Sequence, residues 1–146
     1  MISVLLVDDH AYIRKGIGYL LETTQDIEVV ATASNGIEAV AKARSHQPDV
    51  VIIDISMPFM NGIEATKQIR ECCPGTHILG LSIFRDKEYV QSALQAGAQG
   101  YVLKDKIGDE LLEAIRSIYR GRRYFSRKIA GMIHPYIEAD NESWVG

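Results

Sequence analysis

Four places in this sequence carry side chains suited to moving a phosphoryl group onto a carboxylate. Asp8 and Asp9 follow the apolar run VLLV, and Asp54 follows VVII. Ser82 closes the run ILGL, and Lys104 closes GYVL. Carboxylates can act as nucleophiles toward phosphorus or bind a cation, while a hydroxyl and an ammonium can hold phosphoryl oxygens. These residues lie far apart in the sequence, so they act together only if the fold gathers the ends of the apolar runs.

The elements between these residues predict such a fold. A helical pattern fills the interval after each strand pattern, and this alternation is typical of a parallel sheet with crossover helices. Right-handed crossovers then give a doubly wound, flavodoxin-like, three-layer α/β/α sandwich with a five-stranded parallel sheet. Ligands bind such sheets at the carboxyl ends of the strands. The five strand patterns begin near Ile2, Ile27, Val50, Ile78 and Tyr101.

The strands differ in their expected burial. VLLV, VVII and ILGL are continuously apolar, as in strands that helices cover on both faces. DIEVVA interleaves Glu28 with apolar residues and reads as an edge strand. Tyr101 is expected on the other edge as a half-buried aromatic. The second helix is predicted to start at Asn35, with Glu38 placed close to a capping box, and to present Ile37, Val40 and Ala41 on its apolar face.

Length and composition restrict the class of protein. The chain has 146 residues, 47% of them hydrophobic and 24% charged, which fits one globular domain with a tail. The formal net charge of −3 does not indicate nucleic-acid binding by this region. No apolar run approaches the roughly 20 residues of a membrane span, and we expect no signal peptide and a cytoplasmic location. Cys72 and Cys73 are adjacent on a predicted helix, where side chains diverge and a disulfide is not expected.

Three carboxylates at one sheet edge would repel each other unless a cation lies between them. A hard divalent cation with oxygen ligands answers this need, and Mg²⁺ fits because it accepts few protein ligands. Each residue also has an ordinary structural alternative. Asp9 and Asp54 could cap the helices that follow them. Ser82 could be a turn residue, and Lys104 a solvated surface side chain.

The joint pattern is more specific than any one residue. VDD after the first strand, DISMP after the third, LS at the fourth and YVLKD at the fifth resemble the receiver domain of two-component response regulators. The resemblance covers residues 1 to about 121. The stretches VDDHAYIRKGI, LGLSIFRDKEYV and AGAQGYVLKD are similar to those of the NarL/FixJ (LuxR-type) subfamily.

The resemblance implies a role for each site residue. Asp54 would accept a phosphoryl group from the phosphohistidine of a sensor histidine kinase. Magnesium would be held by Asp9, Asp54 and the backbone carbonyl of Ser56, with Asp8 acting largely through water. Ser82 and Lys104 would hold the phosphoryl oxygens. As the loops close, Tyr101 would swing inward behind Ser82 as part of the switch.

The resemblance also implies an organisation and partners. Residues 1–121 would form the receiver domain, and residues 122–146 a short helix and a linker toward a C-terminal helix-turn-helix domain. Such proteins control transcription, contact DNA through that output domain and are expected to form homodimers on phosphorylation. An alternative is a stand-alone receiver that acts by protein–protein contact.

Two other classes of protein could use a similar sheet. A magnesium-dependent, aspartyl-nucleophile phosphatase of the haloacid-dehalogenase type needs a second Asp two residues after the nucleophile, and Ser56 occupies that position. A flavodoxin-like cofactor carrier needs a phosphate-binding loop after the first strand, where this chain has DDHAY. We therefore expect a signalling switch and not an enzyme that acts on a metabolite.

Overall fold

The structure is a computed structural model that describes residues 1–55, 57 and 61–131 and the backbone of residues 144–145. Within these residues it contains one parallel sheet with strand order β2-β1-β3-β4-β5-β6-β7. The strands are β1 (Ile2–Val7), β2 (Ile27–Ala33), β3 (Val50–Asp54), β4 (His77–Ser82), β5 (Gly100–Leu103), β6 (Arg123–Phe125) and β7 (Trp144–Val145). The helices are α1 (Ala11–Glu22), α2 (Gly36–His46), α3 (Gly62–Cys72), α4 (Lys87–Ala96) and α5 (Ile107–Tyr119).

Helices cover both faces of the sheet, which confirms the predicted doubly wound α/β architecture. Buried residues of α2, α3 and α4 pack on one face. Those of α1 and α5 pack on the other. Along β3 the side chains alternate, so that Val51 and Ile53 face the first group of helices and Val50 and Ile52 the second. All five residues of β3 are buried, as its continuous apolar run predicts.

The number of strands differs from the prediction of five. β6 and β7 are strands of three and two residues that extend the sheet beyond β5. Strands this short carry no detectable alternation of apolar and polar residues, so the sequence gives no signal for them. Because β6 pairs with Gly100 and Tyr101, β5 is not an edge strand. The prediction of a half-buried Tyr101 was therefore wrong, and its side chain is fully buried.

The start of α2 is close to the predicted capping box, except that Glu38 bonds to Ser34 and not to the N-cap residue Asn35. The Asn35 side chain accepts a hydrogen bond from the Glu38 backbone N–H at 2.9 Å, and Glu38 in turn accepts one from the Ser34 N–H at 3.1 Å. The predicted apolar face is only partly correct, because Val40 is buried whereas Ile37 is 62% exposed and Ala41 is exposed as well. In the part of the chain that the structure describes, no helix combines the length and apolarity needed to cross a membrane.

Gly16 lies on the exposed side of α1, and a methyl group added there would meet no atom within 4 Å. We expect Gly16→Ala to stabilise the protein by about 0.5–1 kcal/mol, because alanine restricts the unfolded chain and favours the helix. Urea unfolding measures the change. A loss of stability would show that the outer face of α1 has a constraint absent from this structure.

Candidate functional site

Two central strands place Asp8 and Asp54 side by side. β1 and β3 are neighbours whose register pairs Val7 with Ile53. Asp8 follows Val7 and Asp54 follows Ile53, so both aspartates lie at the same edge of the sheet. The strand order reverses here, because β2 lies on one side of β1 and β3 on the other. Such a switch point is where doubly wound sheets bind ligands. Asp8 is completely buried and Asp54 is 2% exposed.

Lys104 follows β5 and brings its ammonium to both carboxylates. Its Nζ lies 2.9 Å from Asp8 Oδ2 and donates a hydrogen bond to Asp54 Oδ2 at 3.1 Å. Burial alone would lower the pKa of Lys104, but the close contact with the Asp8 carboxylate and the charge of Asp54 outweigh it and raise the pKa. Lys104 is therefore a cation held inside an acidic pocket and not a solvated surface side chain.

His10 also belongs to this cluster, although the sequence analysis did not select it. Its Nδ1 lies 3.2 Å from Asp8 Oδ1 and 3.1 Å from Asp9 Oδ1. The His10 backbone N–H donates to Asp8 Oδ1 at 2.9 Å, which fixes the carboxylate as α1 begins. Its position directly after the two aspartates was the one feature of the sequence that could have indicated this role. A second contact comes from Arg14, whose Nη1 donates to the Asp8 backbone carbonyl at 2.6 Å.

The cluster fits a hard cation. One ligand atom from each of Asp8, Asp9, His10 and Asp54 lies within 4.8 Å of all the others. Oδ2 of Asp8 is buried and accepts no well-formed hydrogen bond from the described residues, even with the Lys104 ammonium nearby. One lysine cannot neutralise three carboxylates, and a small divalent ion bound through oxygen would supply the missing charge.

Ser82 and Tyr101 are connected through the backbone of Phe84. Ser82 is buried at the end of β4, and its Oγ accepts a hydrogen bond from the Phe84 N–H at 2.9 Å. The Tyr101 hydroxyl donates to the Phe84 carbonyl at 2.8 Å. Burial raises the pKa of Tyr101 to about 12, so the hydroxyl is a stable donor. Tyr101 therefore lies inward in this structure, in the position that the resemblance assigns to the switched state.

Phe84 extends this connection to α4. Its ring stacks on Tyr89, with centroids 4.2 Å apart and planes 10° from parallel. A change in the position of Ser82 would therefore affect both Tyr101 in β5 and Tyr89 in the first turn of α4. Only the position of Phe84, two residues after Ser82, is visible in the sequence, because a stacking partner cannot be inferred from spacing alone.

Comparison with known proteins identifies the family. Residues 4–116 match the response regulator receiver domain. The chain belongs to this family. The receiver domain is 43% identical over 128 residues to the oxygen regulatory protein NreC of Staphylococcus epidermidis, covering 87% of this chain and 59% of that protein. For NreC of Staphylococcus aureus the identity is 39% over 142 residues, covering 96% of this chain and 65% of the relative. This chain thus spans about three-fifths of the length of these curated relatives.

Solved structures agree with the fold of this receiver. A LuxR-family two-component response regulator from Aurantimonas superimposes with a TM-score of 0.88 at 37% identity, covering 93% of this chain and 97% of that one. The receiver domain of the response regulator NarL from Mycobacterium tuberculosis gives a TM-score of 0.79 at 32% identity, covering 83% and 98%. The predicted resemblance to the LuxR-type receivers is therefore confirmed.

The receiver gathers most of the predicted site residues but not all of them at one point. Asp8, Asp9, Asp54 and Lys104 meet directly. Ser82 lies at the end of the neighbouring strand, and its hydroxyl interacts with its own loop. The Ser56 carbonyl, proposed as a metal ligand, lies outside the described residues.

Ser126 connects the chain after β6 to β5. It is fully buried, its N–H donates to the Tyr101 carbonyl at 3.0 Å, and its Oγ accepts from the Leu103 N–H at 3.0 Å. These bonds flank Val102 and end directly before Lys104. Residues 127–131 then form a helical turn. Contacts between residues 23 positions apart leave no local sequence signal, so Ser126 was missed.

Proposed function

We propose that this receiver takes a phosphoryl group onto Asp54 from the phosphohistidine of a sensor histidine kinase. The buried Asp54 carboxylate, next to Asp8 and bonded to Lys104, supports this assignment. Among the described aspartates, only Asp8 and Asp54 lie at a strand end at the switch point, belong to the acidic cluster and also contact Lys104. Asp8 is completely buried and its Oδ1 accepts one hydrogen bond from the His10 backbone N–H, and the resemblance places the phosphoryl acceptor at Asp54.

The proposed step is a displacement at phosphorus. One carboxylate oxygen of Asp54 forms a bond to phosphorus while the bond from phosphorus to the histidine nitrogen breaks, and the imidazole leaves with the bonding electron pair. With a small donor such as acetyl phosphate, acetate leaves instead. The negative charge of the transferring group is spread over its oxygens, so catalysis depends on positioned cations and hydrogen-bond donors.

Asp9 and Asp54, together with the Ser56 carbonyl, would hold Mg²⁺, and Asp8 would act largely through water. The ion would neutralise charge on the carboxylates and on the incoming phosphoryl group. Asp9 is the most accessible of the three carboxylates, with 28% of its side chain exposed, which suits a ligand that an ion reaches from solvent.

Lys104 and Ser82 would hold the phosphoryl oxygens after transfer. Lys104 then exchanges a contact with Asp54 for one with the phosphoryl group, and the Ser82 hydroxyl donates its hydrogen to a phosphoryl oxygen while its Oγ accepts from the Phe84 N–H. Because the Phe84 carbonyl accepts from Tyr101, movement of Ser82 toward the phosphoryl group would bias the position of the loop and of Tyr101. The output is a shift between two populations, limited by how much better the phosphoryl group binds one of them.

The output of the whole protein is proposed to be control of transcription through a DNA-binding domain. The support is the LuxR-type resemblance and the greater length of the curated relatives, of which this chain spans 59–65%. Residues 1–121 would be the receiver domain and residues 122–146 a short helix and linker. A homodimer formed on phosphorylation and a cytoplasmic location belong to the same proposal. The protein would act as a switch and not as an enzyme on a metabolite.

Acetyl phosphate tests the proposed reaction without a kinase. We expect one phosphoryl adduct per chain by intact mass in the presence of Mg²⁺, and a drop of at least about tenfold in its rate of formation when a chelator removes the ion, since the metal neutralises charge in the transition state. Sodium or potassium salt of equal ionic strength is the control. Equal rates with and without Mg²⁺ would contradict the assignment of the cation site.

A further inference from the structure

A second cluster of reactive side chains lies at the end of α3, apart from the acidic site. Cys72 is the last residue of the helix, and Cys73 follows it with φ −136° and ψ 66°, outside the helical region. Because the backbone turns here, the two side chains do not diverge as neighbours on a helix do. Their Sγ atoms approach to 2.9 Å, and both thiols are free. The predicted divergence of the two side chains was therefore wrong.

The pair combines one accessible and one protected sulfur. Cys72 is half-buried and lines a surface cavity of about 470 Å³ that is also lined by Arg44, Lys67 and Glu71. Cys73 is fully buried, and its Sγ accepts a contact from Gln47 Nε2 at 3.5 Å. A reagent can therefore reach Cys72 from solvent and then meet the second sulfur in contact with the first.

We propose that Cys72 and Cys73 form a dithiol site that captures trivalent arsenicals by binding one arsenic atom through both sulfurs. This inference is independent of the proposed phosphorylation. Soft, polarisable sulfur ligands favour soft acceptor atoms. The cavity contains charges of both signs, which suits an uncharged reagent, and trivalent arsenic hydroxides are uncharged at neutral pH.

The reaction needs no oxidant or reductant. An arsenical with two hydroxyl groups exchanges two arsenic–oxygen bonds for two arsenic–sulfur bonds. Each thiol proton leaves with a hydroxyl group as water, so that two waters are released and arsenic remains trivalent. The thiols react in their protonated form overall, which matters because burial raises the pKa of Cys73 to about 11.

The same observations disfavour a zinc site. Structural zinc takes four ligands and requires deprotonated thiols. Among the described residues, no further His, Cys, Asp or Glu completes a group of three with the two sulfurs. Two adjacent thiols are sufficient for an arsenical that carries one organic group, because that group fills the third bond of arsenic.

Phenylarsine oxide tests the site on the folded, full chain. The protein is treated in native buffer, excess 2-mercaptoethanol is added, and the intact mass is followed over time. We expect one phenylarsenic adduct per chain that survives the monothiol and is removed by the dithiol 2,3-dimercaptopropanol. The chain contains only these two cysteines, so the adduct needs no further localisation.

Cys72→Ser and Cys73→Ala each leave one thiol and are the matched variants. Chelation raises the effective concentration of the second thiol, so each variant should lose the adduct to monothiol about 100-fold faster than the wild type. Circular dichroism establishes that each variant is folded. Asp54→Asn, which alters the distant acidic site, should retain the adduct. A wild-type adduct that exchanges as fast as that of the single-thiol variants, or that forms only in denaturant, would overturn the proposal.

Discussion

Lys104→Ala is expected to destabilise the metal-free protein by about 3 kcal/mol, because it removes the cation between buried carboxylates. The side chains of Asp8 and Asp54 are 0% and 3% exposed, so the two carboxylates are poorly solvated once the ammonium that lies 2.9 and 3.1 Å from them is removed. Repulsion between the two carboxylates then acts on the folded state alone. Urea unfolding in a chelating buffer measures the loss.

Magnesium should reduce the loss of stability caused by Lys104→Ala. In the variant the carboxylates no longer have a competing ammonium, so Mg²⁺ should bind more tightly and stabilise Lys104→Ala more than it stabilises the wild type. Lys15→Ala, on the exposed side of α1, is the matched control and should change neither quantity. If Mg²⁺ stabilised wild type and Lys104→Ala equally, Lys104 would not share the carboxylates with the metal.

Acetyl phosphate should still label Lys104→Ala, because Asp54 is unchanged. The response to labelling should be reduced, since the ammonium is the group proposed to exchange a carboxylate for a phosphoryl oxygen. Hydrogen exchange of β5 and the start of α4, before and after labelling, measures this response. An undiminished response would assign the coupling to Ser82 and Phe84 alone.

Gly62→Ala should displace the backbone that carries Asp54. Gly62 is the first residue of α3, and its N–H donates to the Ile55 carbonyl at 3.0 Å. An ideal Cβ at this position would lie 2.5 Å from Ile55 Cα and still closer to the Asp54 carbonyl oxygen. Backbone atoms at the end of β3 cannot move aside as a flexible side chain can. We expect a loss of about 2 kcal/mol in the free energy of unfolding.

The displacement should also slow phosphorylation. A shift of about 1 Å in a reacting group can cost roughly 100-fold in rate, and the Asp54 backbone must move to accommodate the methyl group. The rate of acetyl phosphate labelling, measured where the variant is fully folded, tests this. Gly16→Ala is the control, since open space surrounds that residue. Equal labelling rates for Gly62→Ala and wild type would show that α3 can move without affecting Asp54.

The sequence was sufficient to predict the central sheet and the position of the acidic cluster. Continuous apolar runs predict buried parallel strands, and the geometry of such a sheet brings Asp8, Asp54 and Lys104 to one edge without any knowledge of their contacts. The edge position of β2 was also predicted, from Glu28 in its pattern. Each of these inferences depends on periodicity or on the end of a run, which are local properties.

Features that depend on contacts distant in sequence could not be predicted. The burial of Tyr101 requires β6, a three-residue strand without a pattern of its own. The role of Gly62 follows from the close approach of α3 to the backbone after Asp54. The exposure of Ile37 shows the converse error, because an apolar residue in helical register need not face the sheet.

The most direct test is the intact mass of wild type and Asp54→Asn after incubation with acetyl phosphate and Mg²⁺. Asn keeps the shape of the side chain but lacks the nucleophilic carboxylate. Asp26→Asn serves as a matched control, because Asp26 is half-exposed, pairs with Arg116 and lies at the opposite end of the sheet. We predict one phosphoryl adduct on wild type and Asp26→Asn and none on Asp54→Asn. An adduct of equal yield on folded Asp54→Asn would contradict the assignment of Asp54 as the phosphoacceptor.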